Sequence, residues 1–266
     1  MRPPDPRDRS RARLPAPLLA ALELVVPAEC AGCGTWGVAL CRTCRRLLTA
    51  GPAECTDGAP LLAGFDEPVL RAWSLGDYHG PLRRIVIDWK TGRCGHLRRE
   101  LVDAGRLAGS RMWPLLAGDV RGDDAGGTLL VVPAPSGAMR RRHGMLVAVE
   151  LADAVVAGLA DAAARAADAP SSGPTPRARL RIASVDLLRR AGGPARQRGS
   201  SARSRVANRS RPPDLRAPVP AGTAVLLVDD VLTTGATLAA CAESLRGAGA
   251  DVLGALVVAG ARAPGR

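Results

Sequence analysis

The chain has 266 residues, of which 47% are hydrophobic and 2% aromatic, and its formal net charge is +12. This length suits one α/β domain with a small appendage, whose core must consist mainly of Ala, Val and Leu. No run approaches the ~18 uncharged apolar residues that a membrane-spanning helix needs, so the sequence predicts no membrane span.

The first residues predict a tail and then a short helix. Residues 1–15 are rich in Pro and Arg and are predicted to be a disordered basic tail. Residues 16–26 predict a short helix. A secretory signal is the alternative, but Glu23 interrupts the apolar run and no small-residue cleavage site follows it. We therefore expect a cytoplasmic location.

Four of the seven cysteines form two CxxC pairs between residues 30 and 44. Cys30 and Cys33 are the first pair, and Cys41 and Cys44 the second. Thiolates at this spacing can surround one tetrahedral Zn²⁺. A disulfide and a redox CxxC are the alternatives, and the lack of a convincing export signal favours zinc. Four sulfur ligands would close the site, which predicts a structural metal, with Cys55 as the alternative ligand.

After about residue 60 the pattern becomes that of an α/β domain. Unbroken apolar runs predict strands buried on both faces, and Ala-rich or amphipathic stretches predict helices. The predicted strands are 128–132, 180–185, 224–228 and 251–258. The predicted helices are 82–89, 97–107, 146–167 and 237–247, with a linker at 170–176. Their alternation predicts a doubly wound, mainly parallel sheet.

Much of the positive charge lies in one stretch. Residues 181–212 contain nine arginines and a single acid, Asp186. Such a field attracts polyanions such as pyrophosphate, phosphorylated sugars or nucleic acid, although a solvated surface loop has the same composition.

The segment 229–237 combines the groups that bind a phosphorylated sugar. Asp229 and Asp230 follow the predicted strand 224–228, where their carboxylates can accept hydrogen bonds from neighbouring sugar hydroxyls. The following turn offers hydroxyls and backbone N–H groups at the positive end of a helix, which is a natural phosphate site. Gly235 allows the backbone to approach the anion closely.

Residues 225–237, VLLVDDVLTTGAT, resemble the phosphoribosyl-pyrophosphate signature of type I phosphoribosyltransferases. The resemblance implies that Asp229 and Asp230 hold the ribose hydroxyls and that Mg²⁺ lies on the pyrophosphate oxygens. It also implies a cradle for the 5′-phosphate. The cradle residues are Thr233, Thr234, Gly235, Ala236 and Thr237.

From about residue 18 to residue 258, the chain is similar to ComF/GntX-like proteins, in which a zinc module precedes a phosphoribosyltransferase domain. Three segments carry this similarity besides the two motifs. They are 78–83 with 89–92, 132–135, and Gln197 with Arg205 and Asn208. The similarity implies that Lys90, Pro133 and Ala134 meet pyrophosphate and that Arg205 stabilises its developing charge.

The implied organisation is a tail at 1–15, a helix and four-cysteine zinc module at 16–60, and a domain of type I phosphoribosyltransferase fold at 61–262. One run departs from the family pattern. Where the family has Arg-Gly-Phe-Asn, this chain has His-Gly-Met-Leu at 143–146. The departure makes catalysis an open question.

Three functions are compatible with the sequence. The first is a Mg²⁺-dependent enzyme that transfers phosphoribose from phosphoribosyl pyrophosphate to a nitrogen base. The alternative is a competence factor that binds single-stranded DNA and works with competence-machinery proteins, using Trp36, Trp73 or Trp89 for base stacking. A regulator that senses phosphoribosyl pyrophosphate ranks last, because no helix-turn-helix is evident in the sequence.

Overall fold

The structure is a computed structural model that describes residues 28–64, 68–91, 97–120, 122–123, 126–135, 147–168, 180–190 and 212–261. The helices in these ranges are α1 (Arg42–Thr49), α2 (Pro60–Ala63), α3 (Gly80–Thr91), α4 (Leu97–Leu116), α5 (Val147–Asp168) and α6 (Ala236–Gly247). The strands are β1 (Ala53–Glu54), β2 (Ala72–Asp77), β3 (Gly122–Asp123), β4 (Gly126–Pro133), β5 (Arg181–Ser184), β6 (Leu188–Arg189), β7 (Asp214–Leu215), β8 (Ala224–Leu232) and β9 (Asp251–Gly260). None of the described helices is long and apolar enough to cross a membrane.

The central sheet is mainly parallel, as the sequence predicts. Its strand order is β1-β2-β9-β8-β4-β3, and β5 also pairs with β4. The pairs β2–β9, β9–β8, β8–β4 and β4–β5 are parallel. Strands β6 and β7 form a separate antiparallel ribbon. The fold class is therefore confirmed as a doubly wound α/β sheet preceded by a cysteine cluster.

Alternate residues of β8 pack into two different hydrophobic cores. Ala224, Leu226 and Val228 pack in the core that includes side chains of α3, α4 and α5. Val225 and Leu227 pack in the core that includes side chains of α2 and α6. Successive side chains of a strand point to opposite faces, so these helices cover opposite faces of the sheet.

The cysteine-rich segment shares the first core. Cys30 and Cys44 are buried there together with Leu82 of α3, and Arg45 of α1 forms an ion pair with Glu100 of α4 at 2.6 Å. Strand β1, before the predicted division at residue 60, pairs with β2 after it. The module is thus packed onto the domain, and the division at residue 60 stays a prediction.

Most predicted elements recur with longer bounds, whereas the strand predicted at 180–185 is shortened to Arg181–Ser184. Helix α4 extends to Leu116 beyond the predicted end at 107, and α3 adds residues at both ends. The prediction that the strand ends at 228 is wrong, because β9 continues to pair with β8 up to Leu232. The N-terminal helix at 16–26 and the linker at 170–176 lie outside the described residues.

Candidate functional site

The site lies where β4 and β8 separate. Strand β4 ends at Pro133, and Ala134 makes a last hydrogen bond, from its N–H to the carbonyl oxygen of Val228 at 2.8 Å. Strand β8 continues beyond this point. Helices α5 and α6, which follow β4 and β8 along the chain, cover opposite faces of the sheet. In open α/β sheets, a crevice at the carboxyl ends of two such strands is the usual ligand site.

The loop after β8 ends in a helix N-terminus suited to an anion. Gly235 precedes α6 with φ +85°, in the left-handed region, and as the N-cap residue it makes no side-chain hydrogen bond to the helix. The Thr234 hydroxyl accepts a long hydrogen bond, of 3.4 Å, from the N–H of Ala236. The first turn of α6 contains no acidic residue. Asp229 and residues 231–238 line a cavity of about 40 Å³, which has room for about three water molecules. This volume suits the terminal oxygens of one phosphate group.

Helix α2 supports this loop from behind. The backbone N–H of Leu61 donates to the carbonyl oxygen of Thr234 at 3.0 Å, and the side chain of Leu62 is fully buried under Gly235. A Cβ atom at residue 235 would lie 2.5 Å from Leu62 Cγ. Glycine is therefore required here by the backbone angle and by the available space.

The two predicted carboxylates are neighbours within β8. The backbone N–H of Asp230 donates to Asp229 Oδ1 at 2.8 Å, so the Asp229 side chain turns back toward its neighbour. Burial, and then the charge of Asp230, raise the pKa of Asp229 above its ordinary value. Two like charges this close favour a proton or a cation between them.

Lys90 supplies one such cation. Its Nζ lies 2.7 Å from Asp230 Oδ1, and the two side chains are only 19% and 11% exposed. Lys90 is in the last turn of α3, while Asp230 lies in the central sheet. The structure thus brings together Lys90, both carboxylates and the end of β4, which the sequence associated only through a family resemblance.

The comparisons with known proteins agree with this geometry. Residues 141–265 match the family described as "Phosphoribosyl transferase domain". This segment is therefore similar to a phosphoribosyltransferase domain. The chain is also 60% identical over 40 residues to the adenine phosphoribosyltransferase of Parafrankia sp. (strain EAN1pec), an alignment that covers 15% of this chain and 22% of that protein. Lys90, Pro133, Ala134 and the four clustered cysteines lie outside the range matched to the family.

Arg190 is a charged group near the crevice that the sequence did not single out. Its Nε donates to the carbonyl oxygen of Pro135 at 3.0 Å, just beyond the end of β4. Burial and the charge of Asp229 raise the pKa of Cys241 in α6, while the charge of Arg190 lowers it. The contact with Pro135 places Arg190 beside the end of β4. In the sequence it was one of nine similar arginines, and no local signal distinguished it.

The four predicted metal ligands form one cluster. The Sγ atoms of Cys30, Cys33, Cys41 and Cys44 all lie within 4.8 Å of one another. The sulfurs of Cys33 and Cys41 are 3.7 Å apart. Zinc with Zn–S bonds of about 2.3 Å holds its sulfurs about 3.8 Å apart. The donor set and its spacing therefore fit a tetrahedral Zn²⁺, and this cluster could bind zinc.

Local hydrogen bonds favour the thiolate form at two of these sulfurs. Burial raises the pKa of Cys30, but backbone N–H groups of Cys33, Cys41 and Gly32 outweigh it and lower the pKa to about 6. The Thr35 hydroxyl, 3.0 Å from Cys33 Sγ, lowers the pKa of that thiol. Thiolates are the form that binds a metal.

Some residues singled out in the sequence are not part of either site, and others are outside the described residues. Cys55 is not part of the cluster, since its thiol donates to the carbonyl oxygen of Ala72 at 3.5 Å. Trp73 and Trp89 are 4% and 7% exposed, so the prediction that they could stack with bases is wrong. The described residues do not include Arg205, Gln197, Asn208 or the run 143–146.

Proposed function

We propose that the crevice between β4 and β8 binds phosphoribosyl pyrophosphate together with Mg²⁺. The N-terminus of α6, where Gly235 provides no side-chain cap, carries this proposal together with its cavity of about 40 Å³. Backbone N–H groups and the helix dipole make this cavity a seat for the 5′-phosphate. The family match at 141–265 includes this loop and supports the same ligand class.

The remaining groups would then serve the ribose and the pyrophosphate. Asp229 and Asp230 accept hydrogen bonds from the ribose hydroxyls, and their carboxylates are suitable for a hard divalent cation. The ammonium of Lys90, 2.7 Å from Asp230, is within reach of a pyrophosphate oxygen beside that carboxylate. Pro133 and Ala134 would bring the end of β4 toward the same group. Arg205 would add a further positive charge, as its motif position implies.

The reaction that fits these groups is transfer of phosphoribose to a nitrogen base. The C1′–O bond to pyrophosphate breaks, a lone pair of the acceptor nitrogen forms the new C1′–N bond, and the acceptor nitrogen releases its proton to water. Mg²⁺ would neutralise charge on the departing pyrophosphate. Lys90 would add charge stabilisation at the same place, and the carboxylates would fix the ribose so that C1′ faces the acceptor.

Binding tests this proposal before any acceptor is known. Titration calorimetry with phosphoribosyl pyrophosphate and Mg²⁺ should show saturable binding that Asp229→Asn/Asp230→Asn weakens at least about tenfold, because hydrogen bonds to charged groups are lost. Asp251→Asn is the matched control, since Asp251 is exposed at the start of β9, the end of that strand away from the site. No binding by the wild type, or equal binding by all three, would refute the proposal.

Turnover is tested separately. We expect release of pyrophosphate when the protein is incubated with Mg²⁺, phosphoribosyl pyrophosphate and the correct base from a panel of purines and pyrimidines. Adenine belongs in that panel because the similar protein from Parafrankia carries the name adenine phosphoribosyltransferase. If the protein binds phosphoribosyl pyrophosphate but releases no pyrophosphate with any base, the proposed ligand is supported and the enzymatic function is refuted.

A second candidate function rests on Trp36. We propose that the cysteine module binds single-stranded DNA, as in a ComF-like competence factor that acts in DNA uptake with competence-machinery proteins. Trp36 is 66% exposed between the two CxxC pairs, and Arg42, Arg45 and Arg46 of α1 lie on the same module. Exposed aromatic rings and arginines are the usual contacts to single strands.

Salt dependence and one substitution test this candidate. Affinity for a single-stranded oligonucleotide should fall steeply with added salt. It should fall further with Trp36→Ala, while Trp36→Phe should keep most of it because the ring can still stack. Affinity that neither salt nor Trp36→Ala changes would refute DNA binding by this module.

A further inference from the structure

Helix α3 connects the cysteine cluster to the ligand site. It begins at Gly80, beside the cluster, and its last turn contains Lys90, which pairs with Asp230. Its 12 residues span about 18 Å at 1.5 Å per residue. The helix is therefore a short, direct connection between two features that are far apart in sequence.

The first turn of α3 is in close contact with the cluster. Gly32, between the first two cysteines, lies so close to its neighbours that a Cβ there would be 2.6 Å from Cys44 Sγ and 3.2 Å from Pro81 Cβ. Cys30 and Cys44 are 3% and 1% exposed and share a core with Leu82. The position of this turn is consequently fixed by how the cysteine loops are folded.

The last turn is held by the same core. Trp89, next to Lys90, is 7% exposed and packs in the core that contains Cys30 and Cys44. A helix of this length is marginally stable without tertiary packing. Structural zinc sites with four cysteine ligands supply much of the folding free energy of the small segments that carry them. Loss of the metal would remove packing from α3 and so loosen its hold on Lys90.

We propose that the metal-bound cysteine cluster is a positioning device for the ligand site, which acts by fixing α3 and thereby the distance between Lys90 and Asp230. The proposal rests on the proposed function for the identity of the ligand, but its structural claim can be measured without one. The cluster contacts no ligand in this scheme, and Lys90 carries its effect.

A thermodynamic cycle that combines zinc removal with substitution of Lys90 tests the coupling between the cysteine cluster and the ligand site. Its probe is inorganic pyrophosphate with Mg²⁺. Removal of zinc with a chelator, or Cys33→Ser, should weaken pyrophosphate binding to the wild type at least about fivefold, within the usual range for coupled sites. In Lys90→Met the affinity should already be low, and zinc removal should lower it no further. Arg84→Met is the matched control, since Arg84 is an exposed cation of the same helix, and it should behave like the wild type.

Hydrogen exchange provides the readout that needs no ligand. Zinc removal should speed amide exchange in peptides that cover Gly80–Thr91 and leave β8 and β9 protected, which also shows that the domain stays folded. Unchanged exchange in α3 would overturn the proposal, as would equal losses of affinity in the wild type and Lys90→Met. If the zinc-loaded wild type binds neither pyrophosphate nor phosphoribosyl pyrophosphate, the proposed function fails, and exchange in α3 alone decides the positioning claim.

Discussion

Substitution of Gly235 by alanine should destabilise the protein through two separable effects. Gly235 has φ +85°, and a residue with a Cβ pays about 1–2 kcal/mol in this left-handed region. The new methyl carbon would also lie 2.5 Å from Cγ of the fully buried Leu62, and relief of such overpacking costs about 1–3 kcal/mol. Gly235→Ala should therefore lower the free energy of unfolding by about 2–5 kcal/mol, as measured by urea denaturation.

Gly222 allows the two effects to be separated. It has φ +74°, and a Cβ added there would meet no atom within 4 Å. Gly222→Ala should thus show only the backbone cost, about 1–2 kcal/mol. The double variant Gly235→Ala/Leu62→Ala should lose less than the sum of its two single variants, because the new methyl group partly fills the cavity that Leu62→Ala leaves. Equal losses in the two glycine variants, or an additive double variant, would refute the steric argument.

Three further predictions concern charge and metal. Because burial raises the pKa of Asp229 above its unfolded value of about 4, the folded chain holds a proton that the unfolded chain has released. The free energy of unfolding should fall as pH rises from about 4 through that raised pKa, and a slope that Asp229→Asn leaves unchanged in urea titrations would contradict this. Cys33→Ser should abolish stoichiometric zinc in elemental analysis, while Cys55→Ser, outside the cluster, should retain it; zinc lost from both variants would contradict this assignment. Arg190→Ala should weaken pyrophosphate binding in calorimetry by about tenfold. Arg189→Ala should not, because the guanidinium of Arg189 pairs with Asp214. Equal effects of the two substitutions would refute a specific role for Arg190 at the crevice.

Local sequence patterns predicted the parts of the fold that local physics decides. The strands of 128–132 and 224–228 were identifiable because a strand buried on both faces is an unbroken apolar run. Gly235 was identifiable because a turn that approaches an anion requires glycine. The cysteine cluster followed from its spacing, since two CxxC turns can reach one tetrahedral centre.

Long-range packing decided what the sequence could not predict. The end of β8 depends on β9, which continues to pair as far as Gly260. The burial of Trp73 and Trp89 depends on the cores that form around them, and no local pattern separates them from the exposed Trp36. Arg190 became a candidate only through its contact with the end of β4.

The charges of the site give a physical reason for a divalent cation. Two carboxyl groups adjoin in β8, and one ammonium, that of Lys90, pairs with Asp230. Burial and the charge of Asp230 keep the pKa of Asp229 raised, so its carboxyl holds a proton more readily than an exposed one. A pyrophosphate group alone would add negative charge beside Asp230 and compete for Lys90. Mg²⁺ bound with the proposed ligand would remove this conflict, because the two carboxylates suit a hard cation and Lys90 could then pair with the pyrophosphate. The same pairing of acid and lysine that holds the site in place is therefore the reason that the ligand should bind as its magnesium complex.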